Sequence, residues 1–406
     1  MEKLKPYPEY RTAKLPGLGS VPAHWQELRA KYLYREVDER STSGAEELLS
    51  VSHKTGVTPR SQKNVTMFLA ESNEGHKICR PGDIAINTMW AWMAALGVSR
   101  HTGLVSPSYG VYRPRVGAPN ILTQLTDRMI RTEVYRAEYV RRSTGVNSSR
   151  LRLYPEQFLC IPILVPPADE QTAIVKYLDH IDRMINRYIR VKRKLIALLN
   201  EQKQIIILSA VTRGLDPNVK RKPSGVDWLG DVPSHWEVRR LRLLAHVKTG
   251  ERDTVDRVEG GEYPFFVRSQ TIERINSWSF DGEAVLTAGD GAGVAKVFHY
   301  VNGKFDYHQR VYVFSNFREV SGRFFFEYFR ATLHFEALAG NAKSTVDSLR
   351  RPMLLNFPIV VPPHVEQDAI VAKLAEETTS IDTAITRAGW EIELLREYRT
   401  RLIADV

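Results

Sequence analysis

"ILVPPADEQTAIVKYL" (163–178) returns as "IVVPPHVEQDAIVAKL" (359–374), and this repetition decides the architecture. Val165, Pro166, Pro167, Glu170, Gln171, Ala173, Ile174, Val175 and Leu178 recur as Val361, Pro362, Pro363, Glu366, Gln367, Ala369, Ile370, Val371 and Leu374. Upstream of each copy stands a second echo, "LGSVPAHW" (18–25) and "LGDVPSHW" (229–236). At 406 residues the chain is too long for one ordinary core. Long-period self-similarity sets the number of structural units. The order is phrase, variable region, Pro-Pro motif and long tail, written twice, which is the pattern of a duplicated unit.

The tails read as long helices. A residue before proline avoids the helical region, so each Pro-Pro pair closes an extended segment, after which Ala168 or Asp169 can cap a helix. Alternating steps of four and three from Ile174 pass through Leu178, Ile181, Ile185, Tyr188, Lys192, Leu195, Leu199, Gln202 and Ile206. The second tail gives Ile370, Leu374, Glu377, Ile381, Ala384, Ala388, Glu391, Leu395, Tyr398 and Leu402. Both are heptad seams, on helices of roughly 60 Å at 1.5 Å per residue. A narrow apolar stripe needs a partner. The first tail is basic (Arg183, Arg187, Arg190, Lys192, Arg193, Lys194) and the second acidic (Glu376, Glu377, Glu391, Glu393, Glu397). Opposite charge favours pairing of the two tails with each other, as an antiparallel coiled coil. A second reading lays the basic helix on DNA.

The variable regions, 26–160 and 237–357, mix β-like runs at 47–52, 111–116, 263–269 and 310–315 with a helical pattern at 323–338. Both contain Gly-Asp, a turn signal, after an apolar stretch (77–87 and 283–293). The expected fold class is therefore α+β: two domains of similar fold joined by two long helices, a pseudo-two-fold internal repeat. The segments are 1–165, 166–212, 213–361 and 362–406, domain and helix alternating, with a linker opening the third.

Loops of these regions carry the side chains that bond base edges and phosphates. In the first, the candidates are His53, Lys54, Thr58, Arg60 and Lys63, then Asn87, Thr88, Arg100 and His101, then Arg141, Arg142, Ser143 and Arg150. In the second they are Arg268, Ser269 and Gln270, Lys296, His308, Gln309 and Arg310, and Lys343 with Ser344. A solvated loop is the competing explanation for each. Trp90 and Trp92 are expected in the core, with stacking on nucleotides as the alternative.

The net charge of +10, from 57 basic and 47 acidic residues, attracts phosphate backbones without requiring them. Apolar and charged contents of 43% and 26% suit a soluble globular chain, and no apolar run approaches a membrane span. "MEKLKPYPEY" has no signal-peptide core, and Cys79 and Cys160 form no C-x-x-C pair, so a reducing cytoplasm is expected. "VPPA" and "VPPH" invite comparison with the Asn/Asp-Pro-Pro-Tyr/Phe motif of adenine methyltransferases. Val165, Ala168, Val361 and His364 lack its amino-accepting and stacking groups. "GDGAGVAK" (289–296) lacks dinucleotide spacing and reads as a flexible turn, and the eleven histidines lack metal-ligand spacing. His24 and His235 read as scaffold. No catalytic residue and no metal site is expected.

The "VPAHW" and "VPSHW" phrases, the "PPADEQTAIV" and "PPHVEQDAIV" helix starts and the linker "VTRGLDPNVKRKPSGVDWLGDVPSHW" (211–236) resemble the specificity subunits of type I restriction–modification systems. The resemblance covers nearly the whole chain. The first tail runs on from Ala210 into "VTRGLD", whereas Val406 is the counterpart of Ala210. The resemblance implies a non-catalytic DNA-reading subunit. Each variable region would be a target recognition domain for one half of an asymmetric bipartite site, with the helices setting the gap. It also implies two methyltransferase (modification) subunits as partners, and motor-nuclease subunits in the full complex. Those partners would use S-adenosylmethionine, ATP and Mg, with no cofactor bound by this chain. A self-sufficient restriction or modification enzyme and a non-enzymatic DNA-binding coiled-coil scaffold are the alternatives.

Overall fold

The structure is a computed structural model and describes residues 6–63, 72–145, 151–339 and 348–405. The chain forms two compact units, Met1–Arg190 with Glu391–Val406, and Val191–Trp390. The division runs through both long helices, so each unit takes a domain together with part of each helix.

In the first unit, strand Gln26–Arg29 pairs antiparallel with Pro162–Val165, so the variable region leaves and returns through neighbouring strands. Between them lies a four-stranded sheet, ordered Tyr34–Glu36, Gly110–Pro114, Ile84–Ile86, Leu96–Val98. Side chains alternate across a strand. Ile84 and Ile86 therefore enter a core with Tyr112, Tyr135, Tyr139 and Phe158, while Ala85 and Val111 join Val51, Val57 and Cys79 on the other face. Burial on both faces explains why this stretch reads as a continuous apolar run.

In the second unit, Glu237–Arg240 pairs with Pro358–Val361 in the same antiparallel way. Its sheet has six strands, ordered His246–Thr249, Val311–Ser315, Phe280–Ala288, Phe298–Tyr307, Tyr263–Phe266, Glu273–Ile275. The aromatic helix Gly322–Ala339 lays Phe324, Phe325, Tyr328 and Phe329 against Val285 and Phe314. Ala284, Leu286, Val311 and Val313 pack on the opposite face with Phe266 and Phe305.

The long helices are Ala168–Arg213 (46 residues) and His364–Asp405 (42 residues). Neither Ala168 nor Asp169 caps the first. Both lie within its first turn, and the carbonyl of Pro167 accepts the Gln171 N–H at 2.9 Å. Pro363 does the same for Gln367 at 3.0 Å. In the first unit, Leu402 and Ile403 of the second helix pack on a cluster containing Ile174 and Leu178, and Arg399 bonds Asp182 and Asn186. In the second unit, Ile207, Ala210 and Val211 share a core with Ile370 and Leu374, and Lys203 meets Asp382 at 2.6 Å. Within each unit the helical segments thus run antiparallel.

The expected seam holds at Ile174, Leu178, Ile181, Ile185, Ile370, Leu374, Ile381 and Ala388, which are buried. It fails beyond. Ile189 is buried in place of Tyr188, Ile392 in place of Glu391, Leu195 is 39% exposed, and Leu199, Leu395 and Leu402 are half-buried. A helix of 3.6 residues per turn drifts from a strict 3.5 repeat, so the stripe slides by one position. The expected charge division between the helices is also revised. Glu376 and Glu377 pair with Lys373, Glu393 with Arg396 and Glu397 with Arg401, all on their own helix. Between the helices, Lys203–Asp382 crosses in the expected sense and Arg399–Asp182 in the opposite one. The first long helix is apolar and long enough, by length and composition, to cross a membrane, which the interrupted sequence did not suggest. Its Ile207 and Val211 are buried in the second unit's core.

Candidate nucleic-acid interface

The two repeated motifs meet in space. Glu170 of the first Pro-Pro motif accepts a hydrogen bond from Trp25 Nε1 at 2.8 Å and contacts His24 Nε2 at 2.6 Å. Glu366 does the same with Trp236 Nε1 at 2.9 Å and His235 Nε2 at 2.7 Å. The adjacent glutamines are buried anchors. Gln171 accepts from Leu122 N–H and donates to the Asn120 and Pro166 carbonyls. Gln367 accepts from Ser321 N–H and donates to Glu319 and Pro362. These latches fix the base of each domain on the start of a long helix. Their traces in the sequence were the recurring His-Trp and Glu-Gln pairs, whose pairing with each other the repetition alone does not reveal.

In the second domain the structure brings several candidates together. Arg268 follows strand Tyr263–Phe266, and Arg310 precedes strand Val311–Ser315. Their Nη1 groups donate to the two oxygens of Asp290, at 2.8 and 2.6 Å. Burial would raise the Asp290 pKa, but the two guanidiniums outweigh it and hold the carboxyl below its ordinary value. Gln270 Nε2 donates to the Lys296 carbonyl at 3.0 Å, and the Ser269 hydroxyl to that of Thr271. Gln309 Nε2 reaches Asp253 at 2.8 Å. His308 departs from the expectation. Its side chain is buried, its Nδ1 accepts from Arg310 N–H, and burial lowers its pKa, so it supports the turn from beneath. Lys343 and Ser344 lie outside the described residues. Residues missed in the sequence include Asp290 and Asp306, which accepts from Ser277 and Ser279, and Trp278, under the Lys304 ammonium at 4.6 Å.

First-domain candidates stay dispersed. His53 and Lys54 are exposed at the turn joining Leu49–Ser52 to Gly56–Pro59, on whose second strand Thr58 lies, with Arg60 just beyond. Lys63 Nζ is tied to Ser50 and Ser52 at 3.2 Å each, and burial with the nearby Arg131 charge lowers its pKa. Asn87 and Thr88 are buried and turned inward, to Tyr109 OH at 2.8 Å and the Ser108 carbonyl at 3.0 Å, which removes them from the exposed loop surface. Arg100 and His101 are exposed in the turn after Leu96–Val98. Arg141 and Arg142 share the buried Glu138, and Ser143 bonds the Tyr139 carbonyl at the helix end. Arg150 lies outside the described residues. Trp90 is 50% exposed and stacks on Trp92 at 6.2 Å, so it is not a core residue.

The exposed Trp90 has a counterpart. In each domain a loop between two adjacent antiparallel strands forms a short 3-10 turn, Ala91–Met93 or Gly291–Gly293. A left-handed alanine follows, Ala94 (φ 57°) or Ala295 (φ 52°). The residue just before the turn is Trp90 in one domain and Asp290 in the other. Among the described residues, no three metal-ligating side chains cluster.

Residues 233–387 match the family model of the type I restriction modification DNA specificity domain. The chain is 27% identical to the type I restriction enzyme EcoDI specificity subunit of Escherichia coli over 175 residues, 43% of this chain and 38% of that subunit. It is 30% identical to the MjaVIII specificity subunit of Methanocaldococcus jannaschii over 91 residues, 22% of this chain and 20% of that one. The matched stretches thus span well under two thirds of these relatives. A solved chain described under complex assembly and conformational transition of the type I R-M system shares the fold. Its TM-score is 0.66 at 15% identity, over 95% of this chain and 97% of that chain.

Proposed function

We infer that this chain, which carries a type I restriction modification DNA specificity domain and resembles the type I specificity subunits through both its halves, recognises DNA sequence for a restriction–modification complex. Each domain reads one half of an asymmetric bipartite site, and the long helices set the gap. The observation that carries this reading is the matching His-Trp-Glu latch at the base of two domains whose loops differ. A fixed frame holding unlike loops suits two unlike half-sites. Arg268, Gln270, Lys296 and Arg310, gathered on one surface, supply the donors that base edges and phosphates require.

The subunit is non-catalytic and docks two modification subunits, and through them motor-nuclease subunits, in the cytoplasm. Docking is supported by the first helix, which exposes Val191, Leu195 and Leu198 at helical spacing, with the exposed Arg193 and Lys194 among them. An amphipathic acidic helix fits such a face. S-adenosylmethionine, ATP and Mg act in those partners, not on this chain.

The test is to map modified adenines in DNA from cells carrying the chain and its modification partner. Methylation at one bipartite sequence is expected. Methylation by the purified chain alone would overturn the reading. Replacing residues 26–160 by those of a relative should change one half-site only, and simultaneous change of both halves would end the modular account.

A further inference from the structure

Asp290 sits oddly for a DNA surface. A carboxylate repels phosphates, yet this one stands between two of the best-placed arginines. The chain around it is shaped to bring it there. Gly289 N–H bonds the Arg310 carbonyl, and the Leu349 N–H bonds the Gly289 carbonyl, each at 2.8 Å. A Cβ on Gly289 would meet the Arg310 carbonyl at 2.9 Å, and one on Gly293 the Arg268 carbonyl at 2.7 Å. The glycines of "GDGAG" therefore let the loop lie directly on the backbone that carries both arginines. The carboxylate is sheltered (18% exposed), while the Arg268 and Arg310 side chains are 41% and 59% exposed. Each arginine gives Nη1 to Asp290 and has the rest of its five-donor fork for another partner.

We propose that Asp290 is a positioning residue for sequence reading, which orders the Arg268 and Arg310 guanidiniums as one donor surface for the guanine edge of a base pair. The proposal rests on the DNA-reading function above. A loose arginine settles on any phosphate and adds affinity without selectivity. A guanidinium already held by a carboxylate loses little further freedom on binding and can meet the paired O6 and N7 acceptors of guanine. The negative charge of Asp290 lowers attraction for phosphates, so the same side chain weakens random binding and strengthens discrimination. A carboxylate present only to stabilise the fold would also lower attraction for phosphates, but its loss would leave the preference for guanine unchanged.

The experiment presents the full chain, as wild type, Asp290→Asn and Asp290→Glu, with a pool of random-sequence duplexes. Bound sequences are read by sequencing, and affinity for one random duplex is measured across a salt series. The wild type enriches a bipartite sequence. D290N binds the random duplex about two- to fivefold more tightly at low salt, and loses on the order of tenfold preference at a guanine position in one half-site. D290E keeps the charge and displaces the forks. It retains the wild-type affinity for random duplex and loses part of the preference, and this remains measurable should D290N fail to fold. Unchanged preference in both variants, weaker random binding by D290N, or equal change in both half-sites overturns the proposal. If the wild type enriches no sequence, the DNA-reading function falls and this inference with it.

Discussion

The latches of the two domains differ by only 0.1 Å in each matching bond, yet the loops they support present different side chains. At matching positions one loop presents a tryptophan and the other an aspartate gripping two arginines. In both frames the tryptophan Nε1 is paired with the glutamate, as a buried polar group must be. The loops are free to diverge because they carry little of the fold. The frames themselves differ in one respect. Glu170 has a third donor, the Tyr7 hydroxyl at 2.9 Å, and its side chain is 24% exposed against 41% for Glu366.

The hardest way to break the likeness is at the tryptophans. Trp236 is fully buried in the second unit's main core, whereas Trp25 lies nearer the surface in a smaller cluster. Trp236→Ala should cost about 3–5 kcal/mol, and Trp25→Ala clearly less, read by urea unfolding. Next come the carboxylates. Glu170→Gln turns an amide N–H toward donors and should cost about 1–3 kcal/mol, and Glu366→Gln less, because Glu366 has two donors and more water. Equal costs would show that the third donor adds nothing.

A pH series sharpens the same difference. Burial would raise the Glu170 pKa, but the bonds from Trp25, His24 and Tyr7 outweigh it and hold it below the ordinary value. Its stabilising contribution is therefore complete above the unfolded carboxylate pKa and is lost as pH falls through the lower, folded value. Tyr7 shows the converse. Burial, then Glu170, pushes its hydroxyl from 10.0 to about 12. Its contribution is present below the unfolded value and lost as pH rises through the folded one. The thermal midpoint should fall with rising pH in this alkaline window, more steeply for the wild type than for Tyr7→Phe, and identical slopes would contradict the assignment. The smallest effect belongs to the exposed pair of Lys203 and Asp382. Lys203→Ala should cost less than about 1 kcal/mol, and a larger loss would mean that charge, not the apolar stripe, holds the helices.

Much of the frame was legible because repetition marks it independently of any propensity. The β-like runs at 47–52, 111–116, 263–269 and 310–315 correspond to strands Leu49–Ser52, Gly110–Pro114, Tyr263–Phe266 and Val311–Ser315. The aromatic run at 323–338 is the helix Gly322–Ala339. The seam was legible only where it is short, because a one-position drift accumulates with length and puts Ile189 and Ile392 where Tyr188 and Glu391 were expected. The candidate interface was the least legible. Asn87 and Trp90 are three residues apart, yet the first points to Tyr109 and the second to solvent. Asp290 was hidden for a different reason. A glycine-rich loop looks flexible in sequence, but here the missing side chains let two backbones touch.

The paired strands Gln26–Arg29 with Pro162–Val165, and Glu237–Arg240 with Pro358–Val361, have a consequence for inheritance. Each variable region starts and finishes at hydrogen-bonded neighbours, so everything between is a closed loop tied at its neck. Lengthening such a loop costs only about 0.6 kcal/mol per doubling. Insertions, deletions and wholesale exchange of the enclosed stretch can therefore be sampled by recombination at the neck while the rest of the chain stays folded. A lineage could exchange a whole variable region in a single genetic event.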